Sequence, residues 1–214
     1  MNIFVFGDSI TEGFYDTECG GWCSRLIQDL MQKEVESGHT NNKHAVNFGI
    51  AGDTSEDVLA RLTASLETRI SSPNTPTDDF LLLAVGVNDS QYDIQTGENR
   101  ISIDATITNL EKIISTARQY LKTIVIVGIA PVYETRVQPM PWKVTHGYGN
   151  EVINKYNAAL QQLATTSGIR FIDMDSVYQN RESDFLPDGI HPNAAGHELI
   201  FQKVKEALVE ESII

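Results

Sequence analysis

Phe80-Leu81-Leu82-Leu83-Ala84-Val85 is the stretch whose reading decides the fold. It is the most apolar strand candidate in the chain, and it reads as a strand covered on both faces at the centre of a sheet. Its neighbours set the kind of sheet. Upstream, Val58, Leu59, Leu62 and Leu66 recur at helical spacing behind Thr54 or Ser55, either of which can cap a helix. Downstream, Ile103, Ile107, Leu110, Ile113, Ile114 and Ala117 give a second inward-facing helical stripe. A buried strand between helices implies parallel pairing.

The alternation continues to both ends. Asn2–Phe6 and Ala45–Ile50 read as the first two strands, separated by a helix carrying Trp22, Leu26, Ile27, Leu30, Met31 and Val35. Thr123–Ile129 is the fourth strand, stopped by Pro131, and a helix over Glu151–Ser167 leads to a fifth strand, Arg170–Met174. Pro192 suits the first position of a last helix with Leu199, Ile200, Val204 and Leu208 on its apolar face. The sum is an α/β chain, a three-layer α/β/α domain whose parallel strands are joined by right-handed crossovers. Two stretches read as irregular, Ser71–Asp79 and Tyr133–Gly149. No internal repeat appears, and 214 residues suit one domain spanning 1–214.

Composition narrows the function. A hydrophobic share of 41% with 21% charged residues is that of an ordinary globule, and the formal net charge of −13 argues against nucleic acid, whose phosphates need a basic footprint. No apolar run approaches the roughly 18–20 residues of a membrane span. Met1 leads straight into Asn2-Ile3-Phe4-Val5-Phe6 with no basic leader, so a cytoplasmic location is expected. Cys19 and Cys23 are too few for a zinc site and read as two free thiols. The pattern specifies no oligomeric state.

In open α/β sheets ligands bind beyond the carboxyl ends of the strands, so the residues just past each strand matter most. Gly7-Asp8-Ser9 lies past the first, Gly49-Ile50-Ala51-Gly52-Asp53 past the second, and Gly86-Val87-Asn88-Asp89 past the third. Asp188-Gly189-Ile190-His191 comes after the fifth, across a loop. Taken singly, each has a plain structural reading: a turn, a glycine bend, a helix cap. Together they bring serine, glycine, asparagine and histidine to one sheet edge. A serine hydroxyl needs a base to take its proton, which His191 supplies near neutral pH, and Asp188 on the same loop can hold the other ring nitrogen. The backbone N–H groups of Ser9 and Gly52 and the Asn88 amide can meet the oxyanion formed when a carbonyl is attacked. Asp8 and Asp89 are read as structural carboxylates that hydrogen-bond nearby loop backbone.

These blocks resemble a known family. Gly7-Asp8-Ser9-Ile10-Thr11-Glu12-Gly13, Asn47-Phe48-Gly49-Ile50-Ala51-Gly52-Asp53-Thr54, Gly86-Val87-Asn88-Asp89 and Asp188-Gly189-Ile190-His191-Pro192 are similar to the four blocks of the SGNH/GDSL-like hydrolases. The resemblance runs from residue 2 to the final helix. It departs at Ile10, where many members have leucine. It implies a flavodoxin-like sheet of strand order 2-1-3-4-5 and ester hydrolysis through an acyl-serine. It assigns Ser9, Asp188 and His191 as the triad, and Ser9, Gly52 and Asn88 as oxyanion donors. The expected partner is a small-molecule ester, with small acyl or acetyl esters favoured, and the mechanism requires no metal or organic cofactor.

Two alternatives share the sheet. An acyltransferase or thioesterase would use the same triad. A non-catalytic flavodoxin-like binding module is the other, but the chain has neither a P-loop lysine nor a Gly-x-Gly-x-x-Gly fingerprint. The Gly-x-Ser-x-Gly elbow of α/β-hydrolases is also absent. For substrate contacts the sequence offers the Tyr133–Gly149 loop, with Tyr133 and Trp142 as candidates, and the Phe14–Gly21 loop as a second wall.

Overall fold

The computed structural model describes residues 1–70 and 75–214. Among the described residues the main strands and longer helices alternate: β1 (Asn2–Gly7), α1 (Trp22–Glu36), β2 (His44–Gly49), α2 (Ser55–Glu67), β3 (Thr77–Ala84), α3 (Ile103–Ala117), β4 (Leu121–Val127), α4 (Asn150–Ser167), β5 (Arg170–Ile172) and α5 (Ala194–Glu210). The five strands form one parallel sheet in spatial order 2-1-3-4-5. A separate antiparallel pair joins Tyr92–Asp93 to His146–Gly147.

The two-residue period of the strands sorts the core into two layers. Phe4, Phe6, Leu81 and Leu83 face α2, α3 and α4, whereas Ile3, Val5 and Leu82 face α1 and α5. Leu81, Leu82 and Leu83 are fully buried, each worth about 1.5–3 kcal/mol relative to exposure. That is why the run lacks alternation: both faces are covered.

The helices match their sequence signals closely. Thr54, not Ser55, caps α2, its hydroxyl accepting from Asp57 N–H while the Asp57 carboxylate accepts from Thr54 N–H. On α1 the buried side is Trp22, Cys23, Leu26 and Leu30, while Met31 and Val35 are exposed, so the apolar stripe is narrower than the sequence suggests. Pro192 lies outside α5, because Asn193 caps it by accepting from Gly196 N–H. Cys19 and Cys23 are free thiols.

Strand limits differ more from their expected positions. β3 begins at Thr77, within the stretch read as irregular, since Asp79 is held by Asn2 N–H and Thr77 N–H pairs with Tyr120. Residues 71–74 of that stretch lie outside the described residues. β4 runs Leu121–Val127 rather than Thr123–Ile129, and β5 stops at Ile172 rather than Met174. Among the described residues no helix is long and apolar enough to cross a membrane.

Register puts the site together. Gly7 of β1 pairs with Gly49 of β2 and with Ala84 of β3, so three strands end at one level. Ser9, Gly52 and Asn88 each lie a few residues beyond that level.

Candidate active site

The turn after β1 is built to a tight tolerance. A Cβ at Gly7 would sit 2.2 Å from Thr11 Oγ1 and 2.5 Å from the Ala84 carbonyl oxygen, so only glycine lets the chain bend beside β3. Asp8 caps the single helical turn Ser9–Glu12 by accepting from Ile10 N–H at 2.9 Å. Ser9 is thereby fixed at the start of that turn, 6% exposed.

The second loop is pinned onto the first. Ile50 N–H donates to Gly7 O, Ala51 N–H to a Glu12 carboxylate oxygen, and the Asn47 amide to Thr11 O. Arg61 adds a cross-tie from α2, bonding Asp53 Oδ2 at 2.7 Å and Phe48 O at 2.7 Å. Gly52 takes a φ of +84°, and a Cβ there would meet no atom within 4 Å. Backbone conformation, not close approach by other protein atoms, therefore requires the glycine. Among the described residues neither the Ser9 N–H nor the Gly52 N–H has a protein acceptor. Asn88, 8% exposed, donates its amide to Asp53 O at 2.9 Å, which brings the third loop against the second.

Asp188 and His191 share the loop before α5. Asp188 Oδ1 accepts from Ile190 N–H at 2.9 Å and His191 N–H at 2.8 Å, leaving Oδ2 to meet His191 Nδ1 at 2.6 Å. His191 Nε2 lies 2.8 Å from Ser9 Oγ. An ionised carboxylate only accepts, so Nδ1 carries the ring proton and the Nε2 lone pair faces the serine hydroxyl. Burial works to raise the Asp188 pKa, but the His191 ring and the two backbone N–H groups outweigh it and hold the carboxyl below its usual range.

The two rival carboxylates have other employment. Asp89 is fully buried, accepting from Ser55 N–H at the start of α2 and from the Thr106 hydroxyl of α3. Asp8 is buried beneath the Ser9 turn. Burial raises its pKa to about 7, against the Ile10 N–H and nearby His191, which pull it down.

Of the two candidate substrate residues, Trp142 is 56% exposed and lines an open groove with Arg136, Pro139, Pro187 and Asp188. Tyr133 is half-buried; its backbone N–H donates to Gly189 O, and its ring lies under the Arg136 guanidinium. It braces the Asp188–His191 loop. Nearer the histidine are two exposed rings from the other wall: Phe14 at 5.7 Å and Tyr15 at 5.3 Å, centroid to centroid. Tyr15 holds a φ of +67°, rare for a bulky residue.

That wall is fastened from below. Asp16 accepts from the N–H groups of Glu18, Cys19 and Gly21 and from Arg25 Nε. Burial works to raise the Asp16 pKa, but those donors bring it down to about 2. His197 of α5, fully buried, accepts from Trp22 N–H at Nδ1 and donates from Nε2 to Phe14 O at 2.9 Å. Sequence reasoning missed His197 and Arg61. His197 meets partners more than 170 positions away, and Arg61 reaches back from its helix to Asp53 and Phe48 before it, so neither follows a helical or strand spacing that local pattern could reveal.

Comparison with known proteins shows the family and the fold. A model of the GDSL-like Lipase/Acylhydrolase family matches residues 5–199. The chain is 24% identical to the "Isoamyl acetate-hydrolyzing esterase 1 homolog" of Mus musculus, over 93% of this chain and 78% of that protein. It is 24% identical to "Thioesterase 1/protease 1/lysophospholipase L1" of Escherichia coli (strain K12), over 89% of this chain and 75% of that one. In structure it is similar to Axe2, an acetylxylan esterase from Geobacillus stearothermophilus, with TM-score 0.70 and 19% identity over 96% of this chain and 92% of the other.

Proposed function

This chain belongs to the GDSL-like lipase/acylhydrolase family and is an ester-hydrolysing enzyme, and on that premise we propose that Ser9, His191 and Asp188 carry the reaction as nucleophile, general base and orienting carboxylate. The observation that supports this reading is the continuous hydrogen-bond chain from Asp188 Oδ2 through His191 to Ser9 Oγ, at 2.6 and 2.8 Å.

With the ring proton on Nδ1, the steps follow in order. As Ser9 Oγ attacks the ester carbonyl carbon, its proton passes to His191 Nε2, and Asp188 steadies the imidazolium. The carbonyl oxygen becomes negative where the Ser9 and Gly52 N–H groups and the Asn88 amide can donate to it, each worth about 2.7–4 kcal/mol in the barrier. Collapse releases the alcohol, which takes the proton from His191. Water then enters, gives one proton to the same nitrogen and attacks the acyl carbon, and as the carboxylic acid is released Ser9 Oγ takes that proton back from His191.

Small acyl esters, acetyl above all, are the substrates we propose. Two of the similar proteins above carry acetate esters in their names. Phe14 and Tyr15 beside His191, and Trp142 across the Asp188 loop, offer flat apolar faces for the alcohol portion. A fluorophosphonate should label Ser9 in the intact enzyme and fail to label Ser9→Ala or His191→Ala. Labelling that persists in Ser9→Ala would remove Ser9 from the role. A series of p-nitrophenyl esters, run beside acetylated xylose, should show kcat/KM falling as the acyl chain lengthens; a rise would overturn the acyl preference.

A further inference from the structure

Asn88 sits at the end of a hydrogen-bond chain that begins at the protein surface. Lys143 Nζ donates to Gln91 Oε1 at 3.1 Å, Gln91 Nε2 to Tyr148 Oη at 2.9 Å, Tyr148 Oη to Asn88 Oδ1 at 3.3 Å, and Asn88 Nδ2 to Asp53 O at 2.9 Å. Every donor points the same way, from an exposed ammonium inward. Gln91, Tyr148 and Asn88 are each at least nine-tenths buried.

This arrangement decides how the Asn88 amide is turned. Its two ends differ only as donor and acceptor, and a flip would set Oδ1 against the Asp53 carbonyl oxygen, acceptor against acceptor. Tyr148 reinforces the choice. Gln91 occupies a lone pair of the phenol oxygen, so the phenol proton is directed at Asn88 Oδ1. Burial keeps that proton in place: it raises the Tyr148 pKa to about 12, despite the Gln91 hydrogen bond. One Nδ2 hydrogen goes to Asp53 and the other is left to face the reaction.

We propose that Tyr148 is a positioning residue for catalysis, orienting and polarising the Asn88 amide toward the oxyanion; this rests on the reading of Asn88 as an oxyanion donor. When the amide N–H meets a negative oxygen, electron density shifts toward Oδ1, and the Tyr148 hydrogen bond tightens. The help therefore grows in the transition state and acts on kcat rather than on substrate binding. It also gives the Tyr133–Gly149 loop a second task, since Tyr148 reaches under the site from a segment read in the sequence as a substrate wall.

The test is a double-mutant cycle with p-nitrophenyl acetate. Tyr148→Phe should lower kcat about tenfold with KM unchanged, the effect of one hydrogen bond that strengthens in the transition state. Asn88→Ala should lower kcat about 10²–10³-fold, and adding Tyr148→Phe to it should change kcat by less than about twofold. A loss confined to KM, no loss, or a loss that multiplies through in the Asn88→Ala background overturns the proposal. If Asn88→Ala itself keeps full activity while Ser9→Ala is dead, the oxyanion assignment fails instead, and the two failures are distinct. Should Tyr148→Phe not fold by circular dichroism, the exposed Lys143→Met decides. A kcat about twofold lower at unchanged KM supports the relay, and an unchanged kcat overturns it.

Discussion

Asp188→Asn should nearly abolish turnover while leaving the fold intact, and the size of the loss can be worked from the hydrogen bonds around it. Asp188 Oδ1 accepts from two backbone N–H groups at 2.9 and 2.8 Å. An asparagine would keep its carbonyl there, because turning its NH2 toward those donors forfeits two hydrogen bonds, roughly 2–3 kcal/mol. The amide NH2 then faces His191 Nδ1, where the carboxylate oxygen lay at 2.6 Å. That nitrogen must now accept, so the ring proton moves to Nε2 and points at Ser9 Oγ. The wrong tautomer dominates, and the imidazolium formed during attack loses a charge-assisted hydrogen bond worth roughly 2–3 kcal/mol more. Together these raise the barrier by about 4–6 kcal/mol, about 10³–10⁴-fold in kcat. The control is Asp89→Asn, which breaks contacts to Ser55 and Thr106 rather than to His191. It should lower the melting temperature and leave kcat within about tenfold of the parent. Steady-state hydrolysis of p-nitrophenyl acetate with thermal melts on both variants decides it. More than a tenth of parental kcat in Asp188→Asn, or an equal collapse in Asp89→Asn with an unchanged melt, refutes the reasoning.

The surroundings of the site set two further outcomes. Folding raises the Asp8 pKa from 3.8 to about 7, so between those values the folded chain holds a proton that the unfolded chain does not. Asp8 therefore makes stability fall as pH rises across that window and level off above it. Asp8→Asn keeps the cap and removes the titration, so its melting temperature should match the parent near pH 4 and exceed it at pH 8; a lower value at pH 8 is the contrary result. Tyr15→Gly relieves a left-handed backbone worth about 1–2 kcal/mol and should not lower the melting temperature. It removes the ring beside His191, so kcat/KM for esters of bulky alcohols should drop ~3–10-fold, and an unchanged series would take Tyr15 out of the substrate wall.

Much of this protein was legible as sequence because the relevant signals are local. The two-residue period of the strands, the helical stripes and the caps depend on neighbours within a few positions, so α3 over Ile103–Ala117 and α4 ending at Ser167 emerge almost to the residue. Ser9, Gly52, Asn88, Asp188 and His191 could be named for a similar reason: each comes after a strand, and strand ends in a parallel sheet share an edge. Strand limits were less legible, since Thr77-Asp78-Asp79 looks like a loop until Asn2 and Tyr120 supply its hydrogen bonds from distant segments.

What sequence could not decide is what stands between those five residues. The Asp8 carboxyl under the turn, the Arg61 tie to Asp53, and His197 holding Phe14 against the histidine are matters of packing, the last joining atoms well over a hundred positions apart. So is the Lys143–Gln91–Tyr148–Asn88 chain, whose links cross dozens of positions. Composition and period determine which residues reach the edge of the sheet. Only tertiary packing decides which nitrogen carries the proton, which way an amide is turned, and which rings stand beside the histidine.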